Sequence, residues 1–215
     1  MIRRFNHIIV ATTLVGCTMG TLRAQTALPD TTAIGDEPYG AMRMLYERTI
    51  FKVDVLTLEV RFGPETAARL QALAQGRRRT GALADSIAAA ALDAEEVFIR
   101  LRFERNVSLG QFLDGVRGNT RAARDAGIIT PEEYEQVSSS LPVWYEFLAE
   151  RGIKDGDEML YRIRGDSLHT RYRTVEGDVP LNQLDVGDFR RRSVLGGYFA
   201  PGSEFRKGLI ASLFG

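Results

Sequence analysis

From Val97 to Glu104 the chain alternates without a break, with Val97, Ile99, Leu101 and Phe103 on one side and Phe98, Arg100, Arg102 and Glu104 on the other. Side chains of a strand point to opposite faces in turn, so this segment buries one face and leaves the other in water. Met159 to Arg164 and Leu168 to Val175 repeat the pattern around Gly165-Asp166-Ser167, the signature of a hairpin with a tight turn. A third strand is expected over Phe51 to Phe62, apolar enough in its middle to be covered on both faces. Strands joined by local hairpins point to an antiparallel sheet.

Helical signals fill the intervals. Gly63-Pro64-Glu65 ends the first strand and opens a helix to about Ala74, with Pro in the first turn. The Ala-rich stretch Leu83 to Ala94 is a second helix by propensity, and Arg77-Arg78-Arg79 between the two reads as a solvated loop. Ser108 to Ala126 brings Leu109, Phe112, Leu113 and Val116 near one face and closes at Gly127. Thr130-Pro131-Glu132-Glu133 is a capping box that starts a helix expected to bend at Pro142, just before the apolar cluster Trp144, Tyr145, Phe147 and Leu148. Asp188 to Phe199 and Ser203 to Phe214 close the chain around Ala200-Pro201-Gly202. The expected fold class is α+β, an antiparallel β-sheet with helices packed on one face.

The N-terminus predicts export. Arg3 and Arg4 precede a short apolar run, His7 to Val15, too short to span a bilayer. Residues 1–24 read as a signal peptide cut after Leu22-Arg23-Ala24; alternatively Leu14-Val15-Gly16-Cys17 reads as a lipobox, with residues 1–16 removed and Cys17 acylated as a membrane tether. Either way the expected location is the periplasm, free or lipid-anchored. A polar lead-in, residues 25–42, precedes one domain, residues 43–215.

Composition excludes several chemistries. Lys plus Arg and Asp plus Glu both number 28, which argues against nonspecific nucleic-acid binding. Cys17 is the only cysteine, and His169 is the only histidine besides His7, so no intrachain disulfide and no Cys/His zinc site can form. A Ser-His-Asp device would have to use His169. Alternation places His169 with Arg171 and Arg173, which makes it a solvent-facing or cross-strand-paired residue. If the strands are neighbours, Arg100, Arg102, Arg162, Arg164, Arg171 and Arg173 gather on one sheet face, either shaped for carboxylates or spread among salt bridges with Glu104, Asp166 and Glu176.

Several strings, in order, resemble the chalcone isomerase family. Phe51-Lys52-Val53-Asp54-Val55-Leu56-Thr57-Leu58 resembles its opening strand, and Val107-Ser108-Leu109-Gly110-Gln111-Phe112 through Asn119 the helix lining its ligand cleft. Ile153-Lys154-Asp155-Gly156-Asp157, Asp188-Phe189 to Gly196, and Phe205-Arg206-Lys207-Gly208-Leu209 resemble bacterial exported members. The resemblance covers Arg43 to Gly215 and implies an open-faced β-sandwich that works without a cofactor or metal.

In the plant enzymes a phenolate adds across an enone to close a flavanone ring. The resemblance sets Arg43 near the family's Arg, Asn119 at its Asn and Ser193 at its hydroxyl residue. It also sets Asp54 where the family has a catalytic Thr, and Phe112 where it has a Tyr. Asp54 would repel a developing oxyanion and Phe112 cannot donate a hydrogen bond, so flavanone synthesis is not expected. The expected function is noncatalytic binding of a fatty acid or similar apolar carboxylate in the sheet–helix cleft, through Arg43, Asp54, Phe112, Asn119 and Ser193. The alternative is a cofactor-independent isomerase acting on another unsaturated substrate, with Asn119 and Ser193 as catalytic candidates. The implied partner is a small apolar or amphiphilic ligand.

Overall fold

The computed structural model describes residues 41–48 and 53–214, apart from the side chains of Ala41, Glu47, Arg48, Val53 and Asp54. The export signal, Cys17, most of the polar lead-in, Phe51 and Lys52 lie outside the described residues.

Six strands run β1 (Ala41–Arg48), β2 (Val53–Phe62), β3 (Glu96–Phe103), β4 (Glu158–Arg164), β5 (Ser167–Arg173) and β6 (Leu181–Val186). They form one sheet in sequence order, and every adjacent pair is antiparallel. Helices α1 (Pro64–Ala74) and α2 (Gly81–Leu92) connect β2 to β3, while α3 (Leu109–Asp125) and α4 (Pro131–Trp144) connect β3 to β4. Helices α5 (Asp188–Phe199) and α6 (Arg206–Ala211) follow β6. This is the expected α+β sheet with an open face.

The alternation read for β3 holds in space. Val97, Ile99, Leu101 and Phe103 are buried beside Leu56, Leu58, Val60 and Phe62 of β2 and Met159, Tyr161 and Ile163 of β4. The hairpin turns at Gly165, whose φ of +54° suits a residue without Cβ, and its arms pair as the sequence implied. The expected capping box forms at Thr130–Glu133, and a second one, at Ser108–Gln111, starts α3.

Two strands were not read from the sequence. In β1, Met42, Met44 and Tyr46 face the helices and Arg43 and Leu45 face out, a short alternation built from Met and Leu that carries little β preference. In β6, Leu-Asn-Gln-Leu-Asp-Val is a polar edge strand recognisable by its pairing with β5. Pro142 does not end its helix: α4 continues to Trp144 before a 3₁₀ turn at Glu146–Leu148. The last expected helix is shorter than predicted, with α6 passing into a second 3₁₀ turn at Ser212–Phe214. Ser212 Oγ accepts the Arg43 backbone N–H at 3.1 Å, satisfying one donor on the β1 edge.

Candidate functional site

The site follows from how closely α3 and α5 approach. A Cβ at Gly196 would stand 2.7 Å from that of Ala123, and one at Gly197 would stand 3.6 Å from that of Asn119. Two adjacent glycines thus let the α5 backbone lie against α3, and Ser193, one turn earlier on α5, falls on the same side as Asn119. At the N-terminal end of α3, Val107 and Ile153 exchange backbone hydrogen bonds of 3.0 and 2.9 Å, pinning the loop before α3 to the loop before β4.

Between this helical layer and the sheet lies a cavity of about 450 Å³, within the size range of small-molecule sites. Its floor includes Leu56, Leu101, Phe103, Leu168 and Thr170, and its roof Phe112, Val116, Leu141, Asn119 and Ser193. The structure therefore brings three expected site residues together. Phe112 packs edge-on against Tyr145, centroids 4.9 Å apart, and against Phe103 at 6.1 Å. Asn119 Nδ2 donates to Gly115 O at 3.1 Å and Ser193 Oγ to Phe189 O at 2.8 Å. The Ser193 hydroxyl has spent its one O–H on its own helix and is left an acceptor, whereas the Asn119 amide keeps a second N–H and its Oδ1.

Arg43 is not brought to this site. It stands on the opposite, open face of the sheet, its side chain 65 % exposed and its guanidinium on Glu59 at 2.7 Å. The reason is strand parity: Met42 and Met44 point inward, so Arg43 between them must point outward. Asp54 pairs with Glu47 in the β1–β2 ladder, and its side chain is outside the described residues.

Residues not among the expected ligand-binding set, Tyr145 of the apolar cluster included, add polar chemistry to the cavity. Tyr145, Tyr161 and Tyr198 line it. Burial pushes all three phenols above their ordinary pKa, so each stays protonated, and the hydroxyls of Tyr145 and Tyr161 interact with each other. Arg190 also lines the cavity, lies 3.7 Å over the Trp144 ring, and favours the ionised form of Tyr145 and Tyr161 through its charge. Its side chain is 12 % exposed, and among the described residues Asp185, at 3.1 Å, is its only hydrogen-bond acceptor. Tyr161 was legible as an inward position of β4. Arg190 stands within the Asp188 to Gly196 string but carries no signal that would single it out from Arg191 and Arg192.

His169 lies on the open face, between Arg162 of β4 and Leu184 of β6. Burial and the Arg162 charge hold its pKa below the ordinary value. It lines no part of the cavity. Among the described residues no cluster of three His, Cys, Asp or Glu is placed to hold a metal ion, and no helix is long and apolar enough to cross a membrane.

Comparison with known proteins bears on the fold. No family model matches the sequence, and no curated protein does. The crystal structure of a fatty-acid binding protein from Arabidopsis thaliana, of the chalcone isomerase-like fold, superposes with a TM-score of 0.50 at 12% identity, over 82% of this chain and 88% of the plant protein. The likeness shows the fold. It agrees with the order of strings that suggested the same architecture from sequence.

Proposed function

We propose that this chain is a noncatalytic binding protein that holds a fatty acid or similar apolar carboxylate in the sheet–helix cavity. The observation that carries the reading is an apolar chamber with one enclosed guanidinium, Arg190, held beside two interacting phenols, the other arginine of its lining, Arg105, being exposed. An alkyl chain gains about 0.8 kcal/mol per buried CH₂, whereas a carboxylate taken from water must find charged or hydrogen-bonding partners. Arg190 keeps N–H groups beyond the one given to Asp185, and protonated Tyr145 and Tyr161 are not competing anions: one O–H is spent within the pair and the other is left to donate. The Arabidopsis protein of similar fold is a fatty-acid binding protein, which supports the same ligand class. The proposal places the protein in the periplasm after removal of residues 1–24, or tethered through Cys17.

Native mass spectrometry of the protein purified from its host, with extraction and identification of bound molecules, tests this directly. An amphiphilic carboxylate is expected to copurify, and Arg190→Gln to weaken displacement of a fluorescent fatty-acid probe by roughly 10- to 100-fold, the range of a hydrogen bond to a charged group. Empty protein that also fails to take up the probe would sink the reading.

One observation favours the isomerase alternative. The donors missing at Phe112 are present on other elements, as Tyr145, Tyr161 and Tyr198, and a hydroxyl facing a substrate ketone is the catalytic requirement. Turnover of an enone that is lost in Tyr161→Phe would support it; absence of turnover across an enone panel would leave binding as the function.

A further inference from the structure

The open face of the sheet carries an imbalance that the cavity does not use. Its outward strand positions present eight arginines, Arg43 and Arg61 at one side, Arg100, Arg102, Arg162 and Arg164 in the centre, Arg171 and Arg173 beyond them. Among the described residues only four glutamates answer them on this face. Glu59 is shared by Arg43 and Arg61, Glu158 by Arg100 and Arg173, and Glu96 by Arg162 and Arg164. Glu104 lies 4.0 Å from Arg102, and Arg171, whose buried Nε meets no hydrogen-bond partner, has no acidic partner among the described residues. Each shared glutamate thus leaves one positive charge over. The whole chain has no net charge at pH 7, so this excess is a property of one face.

We infer that this face is a docking surface for an anionic phospholipid bilayer. Six strands at about 4.8 Å spacing make a face about 24 Å across, broad enough to meet several headgroups at once. Guanidinium forks suit phosphate geometry and keep their charge at every relevant pH. The exposed apolar side chains of the face stand at its two edges, Leu45 on β1 and Leu184 and Val186 on β6. A basic field flanked by apolar residues fits a bilayer, which offers phosphates above and hydrocarbon beneath, better than a duplex, which offers phosphates alone. The inference stands apart from the cavity and would hold whichever ligand the cavity takes.

The test is co-sedimentation of the full chain with vesicles of mixed phosphatidylglycerol and phosphatidylcholine, against vesicles of phosphatidylcholine alone. Each cation at an anionic leaflet strengthens partition by roughly fivefold, so Arg102→Gln combined with Arg171→Gln should weaken binding to the anionic vesicles by roughly 10- to 30-fold. Neither residue holds a close ion pair, so the variant should keep the parent's thermal midpoint. Arg77→Gln combined with Arg78→Gln, which removes equal charge from the exposed α1–α2 loop, should change binding little. Equal binding to both kinds of vesicle overturns the inference. So does an equal loss in the loop variant, equal affinity for duplex DNA, or self-association abolished by the Arg102 and Arg171 substitutions.

Discussion

Two carboxylates one residue apart show how differently the faces of this sheet handle charge. Asp157 is fully buried and is held by Arg151, by the Tyr172 hydroxyl, and by the backbone N–H groups of Lys154 and Val175. Glu158, on the open side, is shared by Arg100 and Arg173, whose guanidinium groups reach water. Inward, a charge survives only where fixed donors replace its hydration; outward, two long side chains and solvent are enough. The same contrast separates Arg190, stacked and nearly enclosed in the cavity, from Arg43, which spreads over the open face.

The largest test of that contrast removes the enclosed charge. Asp157→Ala strands Arg151 and the Tyr172 hydroxyl and should cost about 3–5 kcal/mol in denaturant unfolding. A loss below about 1 kcal/mol would put Asp157 on a par with a surface pair and erase the distinction. The pH dependence has a definite sign. Burial pushes the Asp157 carboxyl up, but Arg151, the Lys154 N–H, Tyr172 and the Val175 N–H together hold it below its ordinary value. Its contribution is therefore complete above the unfolded pKa of about 3.9 and disappears as pH falls through the lower folded value. Asp157→Asn should flatten that part of the stability profile.

An intermediate effect is expected where the helical layer meets itself. Gly196→Val sets a branched side chain against Ala123, which already stands within 2.7 Å of a Cβ there. Overpacking of this kind costs about 1–3 kcal/mol, and by pushing α5 from α3 it should also weaken fatty-acid probe binding. Unchanged stability and affinity would show that the α3–α5 contact does not set the cavity.

The smallest effect belongs to the open face. Arg43→Ala should change stability by no more than about 1 kcal/mol, as for other exposed ion pairs, and should leave probe affinity unchanged. Loss of probe binding in that variant, measured beside Arg190→Gln, would move the ligand's cation to the open face and invert the assignment of the two surfaces.

The legible part of the fold was the part written in period two or in caps. β3, the β4–β5 hairpin and the Thr130–Glu133 capping box followed from local spacing, because burial of one strand face and satisfaction of free N–H groups are local demands. β1 and β6 were missed because edge strands need little β preference of their own and are defined by a neighbour distant in sequence. At the site, Phe112, Asn119 and Ser193 were found through the order of family-like strings, and the cavity holds all three. Arg43 was assigned to the cavity without β1, and once that strand exists its parity turns Arg43 away.

Sequence alone determined the α+β class, the half-buried strands, the want of histidine and cysteine chemistry, and the side chains that share a strand face, since these depend on residue type and on spacing along the chain. The tertiary structure decided which face each strand turns to the helices, and so which guanidinium joins the cavity. Tyr145, Tyr161 and Arg190 come from the C-cap of α4, from β4 and from α5, and they meet only because β4 lies inside the sheet beneath a helical layer drawn together at Gly196. Proximity of that kind is set by packing between elements far apart in the chain, which no local pattern records.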